Sequence, residues 1–159
     1  MVLWFLALSF ALVLLVFDSA ALDYRLIMAG SLLPWLNFVW DDPWVLHSVL
    51  FPVGLMLAVM VFGWGRRLVQ RRWLGLPIGV FLHLVLSGTW TNKEVFWWPA
   101  FGFDVGEAQP GVAPAVAAVP LEIVGVAVAV WLWRYLGFSD AGRRDRFLRT
   151  GHVDRSLLR

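Results

Sequence analysis

His47, His83 and Glu122 are the residues of this chain best suited to chemistry, because each stands inside an otherwise apolar run. Ionisable groups are costly in such surroundings and persist there when partnered or functional. Imidazole nitrogens and carboxylate oxygens are zinc ligands, and a catalytic zinc takes three of them plus an open position for water. His47 and His83 are therefore the expected metal ligands, with Glu122 or Asp42 as third ligand or general base. The expected cofactor is a divalent metal, with zinc foremost. Asn37, Ser48 and Ser87 are the remaining polar groups expected in the pocket. Each residue also has a plainer reading: Glu122 as an interhelical lock, His47 as a wet interfacial imidazole, Asp42 as the N-cap of a helix opened by Pro43. Phosphate-cradling loops, nucleophile elbows, two-His zinc helices and calcium loops do not occur. With no Cys, disulfides and thiolate sites are excluded.

The elements that must position these residues follow from composition. The 159 residues are 60% hydrophobic and 15% charged, with eleven Trp and twelve Phe, and the mean hydropathy is +0.74. An average soluble domain is about 45–50% apolar and about 25% charged. A soluble fold of this size cannot hide such an excess. A disordered chain, a free soluble enzyme and a collagen-like repeat are excluded. An all-α, polytopic transmembrane bundle is expected, with about four to five membrane segments.

Five apolar runs are candidates: 2–17, 26–40, 44–64, 73–90 and 111–138. A helix crosses ~30 Å of hydrocarbon with about 20 residues. The last three runs qualify outright, and the first qualifies if it continues past Asp18 to Leu22. The second, interrupted by Pro34, reads as a short helix or a re-entrant piece. The first run lacks the preceding Lys or Arg of a signal peptide, so it is expected to be a span.

Arg sets the orientation. Of 13 Lys+Arg residues, all but Lys93 are Arg. Arg66, Arg67, Arg71 and Arg72 fall between the third and fourth runs, and Arg143, Arg144, Arg146, Arg149, Arg155 and Arg159 follow the fifth. By the positive-inside rule both groups face the cytoplasm. If the second run crosses, Arg25 joins them and the N-terminus lies outside. The expected organisation is one bundle over residues 1–138 and a basic, amphipathic cytoplasmic tail over 139–159, lying on anionic headgroups. Trp40, Trp44, Trp90, Trp97 and Trp98 mark the outer interface. This topology accounts for the basic runs, so membrane lipids are the expected partners and nucleic acid is not.

Small residues recur at helical spacing on the faces that carry the ionisable groups. Gly75, Gly79, His83 and Ser87 share one face; so do Ala118, Glu122, Gly125 and Ala129, and His47, Phe51, Gly54 and Ala58. Gly30, Pro34, Asn37 and Asp41 repeat the theme. These faces are expected to pack together, with His47, His83 and Glu122 pointing into the bundle. Pro34, Pro52, Pro77, Pro114 and Pro120 are expected to bend their helices and release carbonyl oxygens, Pro52 beside His47 among them.

Asp23-Tyr24-Arg25, Gly30-Ser31-Leu32-Leu33-Pro34, His47-Ser48 and His83-Leu84-Val85-Leu86-Ser87-Gly88, with Phe96-Trp97-Trp98-Pro99, together resemble the bacterial integral-membrane metal-dependent hydrolase-like family in its short actinobacterial form. The resemblance covers roughly residues 20 to 102. It implies a membrane bundle in the bacterial inner membrane, with His47 and His83 as metal ligands. Ser87 stands where the family has Asp, and Trp35 follows Pro34 where the family has an acid. The expected function is a membrane-embedded, metal-dependent hydrolase-like site opening to the outer leaflet. The alternative is a non-catalytic accessory subunit or lipid-binding scaffold of a membrane complex. A conduction pathway is disfavoured, because no inverted repeat is evident.

Overall fold

The computed structural model describes residues 1–19, 22–39, 45–100, 102 and 115–154. Among them every regular element is helical. The α-helices are α1 (Val2–Phe17), α2 (Tyr24–Leu32), α3 (Leu50–Phe62), α4 (Arg67–Trp73), α5 (Gly75–Leu86), α6 (Lys93–Phe96), α7 (Ala115–Tyr135) and α8 (Ala141–Thr150).

α1 fills its apolar run, 2–17, whereas α3 and α5 are shorter than the runs 44–64 and 73–90 that contain them. α1 stops at Phe17 because Asp18 adopts the left-handed conformation (φ 40°) and returns its N–H to the Leu14 carbonyl. Asp is among the few non-Gly residues that visit that region. The continuation past Asp18, on which a full-length first span depends, is therefore not helical at Asp18 and Ser19. In α2, Pro34 has no N–H for the Gly30 carbonyl, which accepts from Leu33 instead. The path tightens into a 3₁₀ helix over Leu33–Val39. A 3₁₀ helix rises ~2.0 Å per residue against ~1.5 Å for α. The combined element is thus about 28 Å long despite its few residues. The Pro77 ring, four residues beyond Trp73, cannot donate to that carbonyl, and α4 gives way to α5 at Leu74.

Pro52 does not bend its helix. It is the third residue of α3, inside the first turn, where no intrahelical bond exists to be lost. The Ser48 carbonyl accepts from Phe51 at 3.1 Å, so the oxygen expected to be released beside His47 is occupied. Pro120 alone lies in a helix interior among the described residues, within α7. Only α7 is long and apolar enough to cross a membrane by itself, again among the described residues.

Two helix pairs form the frame, α2 with α5 and α1 with α7, and α1 packs across both. α2 and α5 run parallel. A methyl on Gly79 would overlap the Ile27 carbonyl oxygen, and one on Gly30 the Leu76 carbonyl oxygen. Gly75 meets the backbone of Asp23 in the same seam. α1 and α7 also run parallel, and Gly125 is pressed against the backbone of Leu3 and Trp4. Small residues at the seams therefore carry the close approaches, as expected. α3 departs from this pattern. Gly54 has nothing within 4 Å of an added methyl, so the face shared by His47 and Gly54 is not a packed seam along its length.

The core runs from Ala7, Phe10 and Leu14 through Tyr24 and Ile27 to Leu132 and Leu136. Phe147 of α8 joins it, 5.8 Å from Phe10 and 5.0 Å from Phe138 between ring centroids. Residues 139–154 are therefore docked on the bundle, with Phe147 and Val153 buried. Phe147 lies in the aromatic cluster, while Leu148 of the same helix stays exposed.

Candidate functional site

His83 sits just over two turns into α5 and is buried against α1, α2 and the segment preceding α3. Its Nδ1 lies 2.7 Å from the Ser31 carbonyl oxygen. A carbonyl only accepts, so Nδ1 carries the proton, and in the neutral imidazole the lone pair is on Nε2. Ser31 is available because Pro34, three residues on, has no N–H to give it in the 3₁₀ pattern. Phe5 stacks on the imidazole at 4.1 Å, interplanar angle 22°. His47 meets it edge-on, with ring centroids 5.6 Å apart and planes at 71°. The two histidines expected to act together are thus neighbours, though 36 positions apart in sequence.

His47 closes a 3₁₀ turn, Val45–His47, and is itself buried. Ser48 fixes that turn: its hydroxyl donates to the Trp98 carbonyl at 2.6 Å and accepts from the Leu50 N–H at 3.2 Å. The Val49 N–H donates to the Phe96 carbonyl at 2.9 Å. Ser48 is therefore a positioning group for His47, holding its turn to the aromatic stretch 96–98. Ser87 is used locally, 2.7 Å from the Thr89 hydroxyl and 3.2 Å from the Leu84 carbonyl. Asp42 lies outside the described residues, as does the side chain of Asn37.

Glu122 is not brought to the histidines. Its carboxylate accepts from the backbone N–H groups of Leu3 at 3.1 Å and Trp4 at 3.3 Å, and the Met1 amine lies 3.6 Å away. These are the second and third residues of α1, whose own N-cap makes no side-chain bond. Glu122 thus supplies from α7 the carboxylate that an Asp would ordinarily supply at the N-cap, where it also opposes the positive end of the helix dipole. The interhelical lock is real, with α1 as its partner in place of His83. Among the described residues no three His, Cys, Asp or Glu form a group able to hold a metal. The two imidazoles stand as neighbours, and Nδ1 of His83 is tied to a carbonyl.

Among the described residues the most heavily bonded acid is Asp23, of the Asp23-Tyr24-Arg25 run. Asp23 is 1% exposed at its side chain and caps α2 by accepting from the Arg25 N–H. Its two oxygens also take Arg25 Nε (3.1 Å), Arg25 Nη2 (3.0 Å) and Arg72 Nε (3.1 Å). Burial alone would raise the Asp23 pKa, but the hydrogen bonds and charges of Arg25 and Arg72 outweigh it and hold the carboxyl below its ordinary value. Arg25 further donates to the Leu148 carbonyl at 2.7 Å, and the Tyr24 N–H to the Gly151 carbonyl at 2.9 Å. Three separate basic segments, 25, 66–72 and 143–149, meet at this end of the bundle.

No protein-family model, curated protein or solved structure matches the chain.

Proposed function

We propose that this chain is a multi-pass integral membrane protein in which His47 and His83 hold a divalent metal, zinc, in a site of the metal-dependent hydrolase-like kind. The observation that carries this reading is the edge-on packing of the two imidazoles, with the Ser31 carbonyl accepting from Nδ1–H of His83, which leaves the lone pair on Nε2. Bound there, zinc would supply a polarised water. Ser48 holds the His47 turn, Phe5 excludes water from one face of His83, and Ser31 fixes its tautomer. Asp42, five positions before His47 in the sequence, is the third ligand in this reading, because Glu122 is committed to α1.

The membrane part of the reading draws on several supports. Only 11% of the apolar window of α7 is buried, and large apolar side chains such as Leu57, Val61, Val116 and Ile123 are exposed. Such patches mark contact with lipid or protein. Arg25, Arg72 and α8 meet at one end, which is the cytoplasmic end by the positive-inside rule. The second element, about 28 Å long, crosses in this reading, and the N-terminus lies outside, with the C-terminus in the cytoplasm of a bacterial cell.

Because the chain has no Cys, single-cysteine labelling tests the topology directly. Thr91→Cys is expected to react with an impermeant maleimide from outside intact cells, and Ser139→Cys only after lysis. The reverse pattern would overturn the orientation. Chelator competition on the purified chain tests the metal: saturable zinc binding lost in His47→Ala and His83→Ala is expected.

A second reading is a non-catalytic scaffold of a membrane complex. Glu122 favours it, since the one acid inside a long apolar helix is spent on joining α7 to α1. Stoichiometric copurification of a partner, with no zinc bound, would select it.

A further inference from the structure

α1 and α7 run side by side without closing on each other along their whole length. Between them lies an open groove of about 300 Å³, walled by Leu6 and Phe10 of α1 and by Ala129 and Leu132 of α7. Met28 contributes from α2, and the floor is formed by α8. The lining is apolar except at the α8 end, where Arg144 stands. The neighbouring arginines of α8 are otherwise engaged. Arg146 pairs with Asp154 at 3.2 Å and Arg149 with Asp145 at 3.0 Å, while Arg143 packs over Gly137. Arg144 is exposed and forms no ion pair among the described residues.

An apolar trough of this size ending at one uncompensated guanidinium is complementary to a ligand with a slender hydrocarbon body and an anionic head. The basic end of the bundle, where Arg25, Arg72 and α8 gather, is the level at which a phospholipid headgroup would sit. We propose that the α1–α7 groove binds one acyl chain of an anionic membrane phospholipid, with its phosphate on Arg144. This rests on the chain being embedded in a membrane. The Arg144 guanidinium can meet phosphate oxygens through two parallel N–H bonds, while Leu6, Phe10, Ala129 and Leu132 enclose the chain. The site is separate from His47 and His83, which lie on the other side of α1 and α2.

The test uses the detergent-purified full chain, titrated with phosphatidylglycerol or phosphatidylcholine and read by native mass spectrometry. One phosphatidylglycerol is expected to bind in preference to phosphatidylcholine. Arg144→Gln is expected to lower that preference about fivefold, whereas Arg71→Gln, on exposed α4, leaves it unchanged. Ala129→Trp, which fills the groove, is expected to abolish retention of both lipids. Unchanged preference in Arg144→Gln, or undiminished binding in Ala129→Trp, would overturn the proposal. Failure of the underlying reading has a different signature: the chain would then leave washed membranes in carbonate without detergent.

Discussion

The Nδ1 of His83 and the carbonyl oxygen of Ser31 are 2.7 Å apart, a bond between α5 and α2 made where Pro34 deprives that carbonyl of its 3₁₀ partner. It joins α2 to α5, which pack most closely among the described residues, and fixes the tautomer of His83. Removal of His83 leaves a buried carbonyl without this partner, which costs about 1–3 kcal/mol. His83→Ala is accordingly expected to lower the thermal midpoint in detergent as well as to lose metal. His83→Asn, whose amide can still donate, should recover part of the stability and none of the metal affinity. Equal midpoints for the two variants would contradict the role given to the bond.

The α2–α5 seam depends on the absence of side chains. Gly79→Ala is expected to push α5 from the Ile27 carbonyl and to destabilise the protein by about 1–3 kcal/mol. Gly54→Ala, with open space around it, should change the midpoint little or raise it, since Ala is the better helix former by about 1 kcal/mol. Thermal unfolding of the two variants in the same detergent checks the contrast.

Asp23 makes stability depend on acid. Its folded pKa lies below the ordinary Asp value of about 3.9, so the folded state holds its proton less readily than the unfolded chain. The contribution is complete above about pH 4 and is lost as pH falls through the lower folded value. Asp23→Asn is expected to cost about 3 kcal/mol near neutrality, because it leaves Arg25 without its buried counter-charge. The variant should also lose part of the acid sensitivity. Unfolding midpoints from pH 7 to pH 3 measure both effects, and parallel curves for wild type and variant would refute the assignment.

Glu122→Gln tests whether this acid belongs to α1 or to the metal site. Loss of a charged cap costs about 0.5–2 kcal/mol, so a modest fall in midpoint is expected with zinc affinity unchanged. A fall in zinc affinity would place Glu122 in the coordination sphere.

Periodicity alone made the seams legible. Gly30, Gly75, Gly79 and Gly125 lie where small-residue spacing placed them, and His83 shares the face of Gly75 and Gly79. The partner of each face was not legible, because spacing along one helix carries no information about which helix lies opposite. For that reason Glu122 was grouped with His83 although its face, shared with Gly125, packs on α1. The stripe through His47 and Gly54 failed differently: a common face exists, but Gly54 on it meets nothing. Asp23 and Arg72 are 49 positions apart, and only the parallel run of α2 and α5 joins them. The break at Pro34 was legible in the sequence, but the ends at Asp18 and Pro77 were not, since an apolar run does not show where backbone bonding changes.

The central claim is that His47 and His83 ligate one metal together. Zinc-edge X-ray absorption on the purified, zinc-loaded chain counts imidazole ligands directly. Two are predicted in the wild type, one in each of His47→Ala and His83→Ala where zinc is retained at all, and two in Glu122→Gln. A wild-type spectrum without imidazole scattering, or one unchanged by either histidine substitution, would contradict the account.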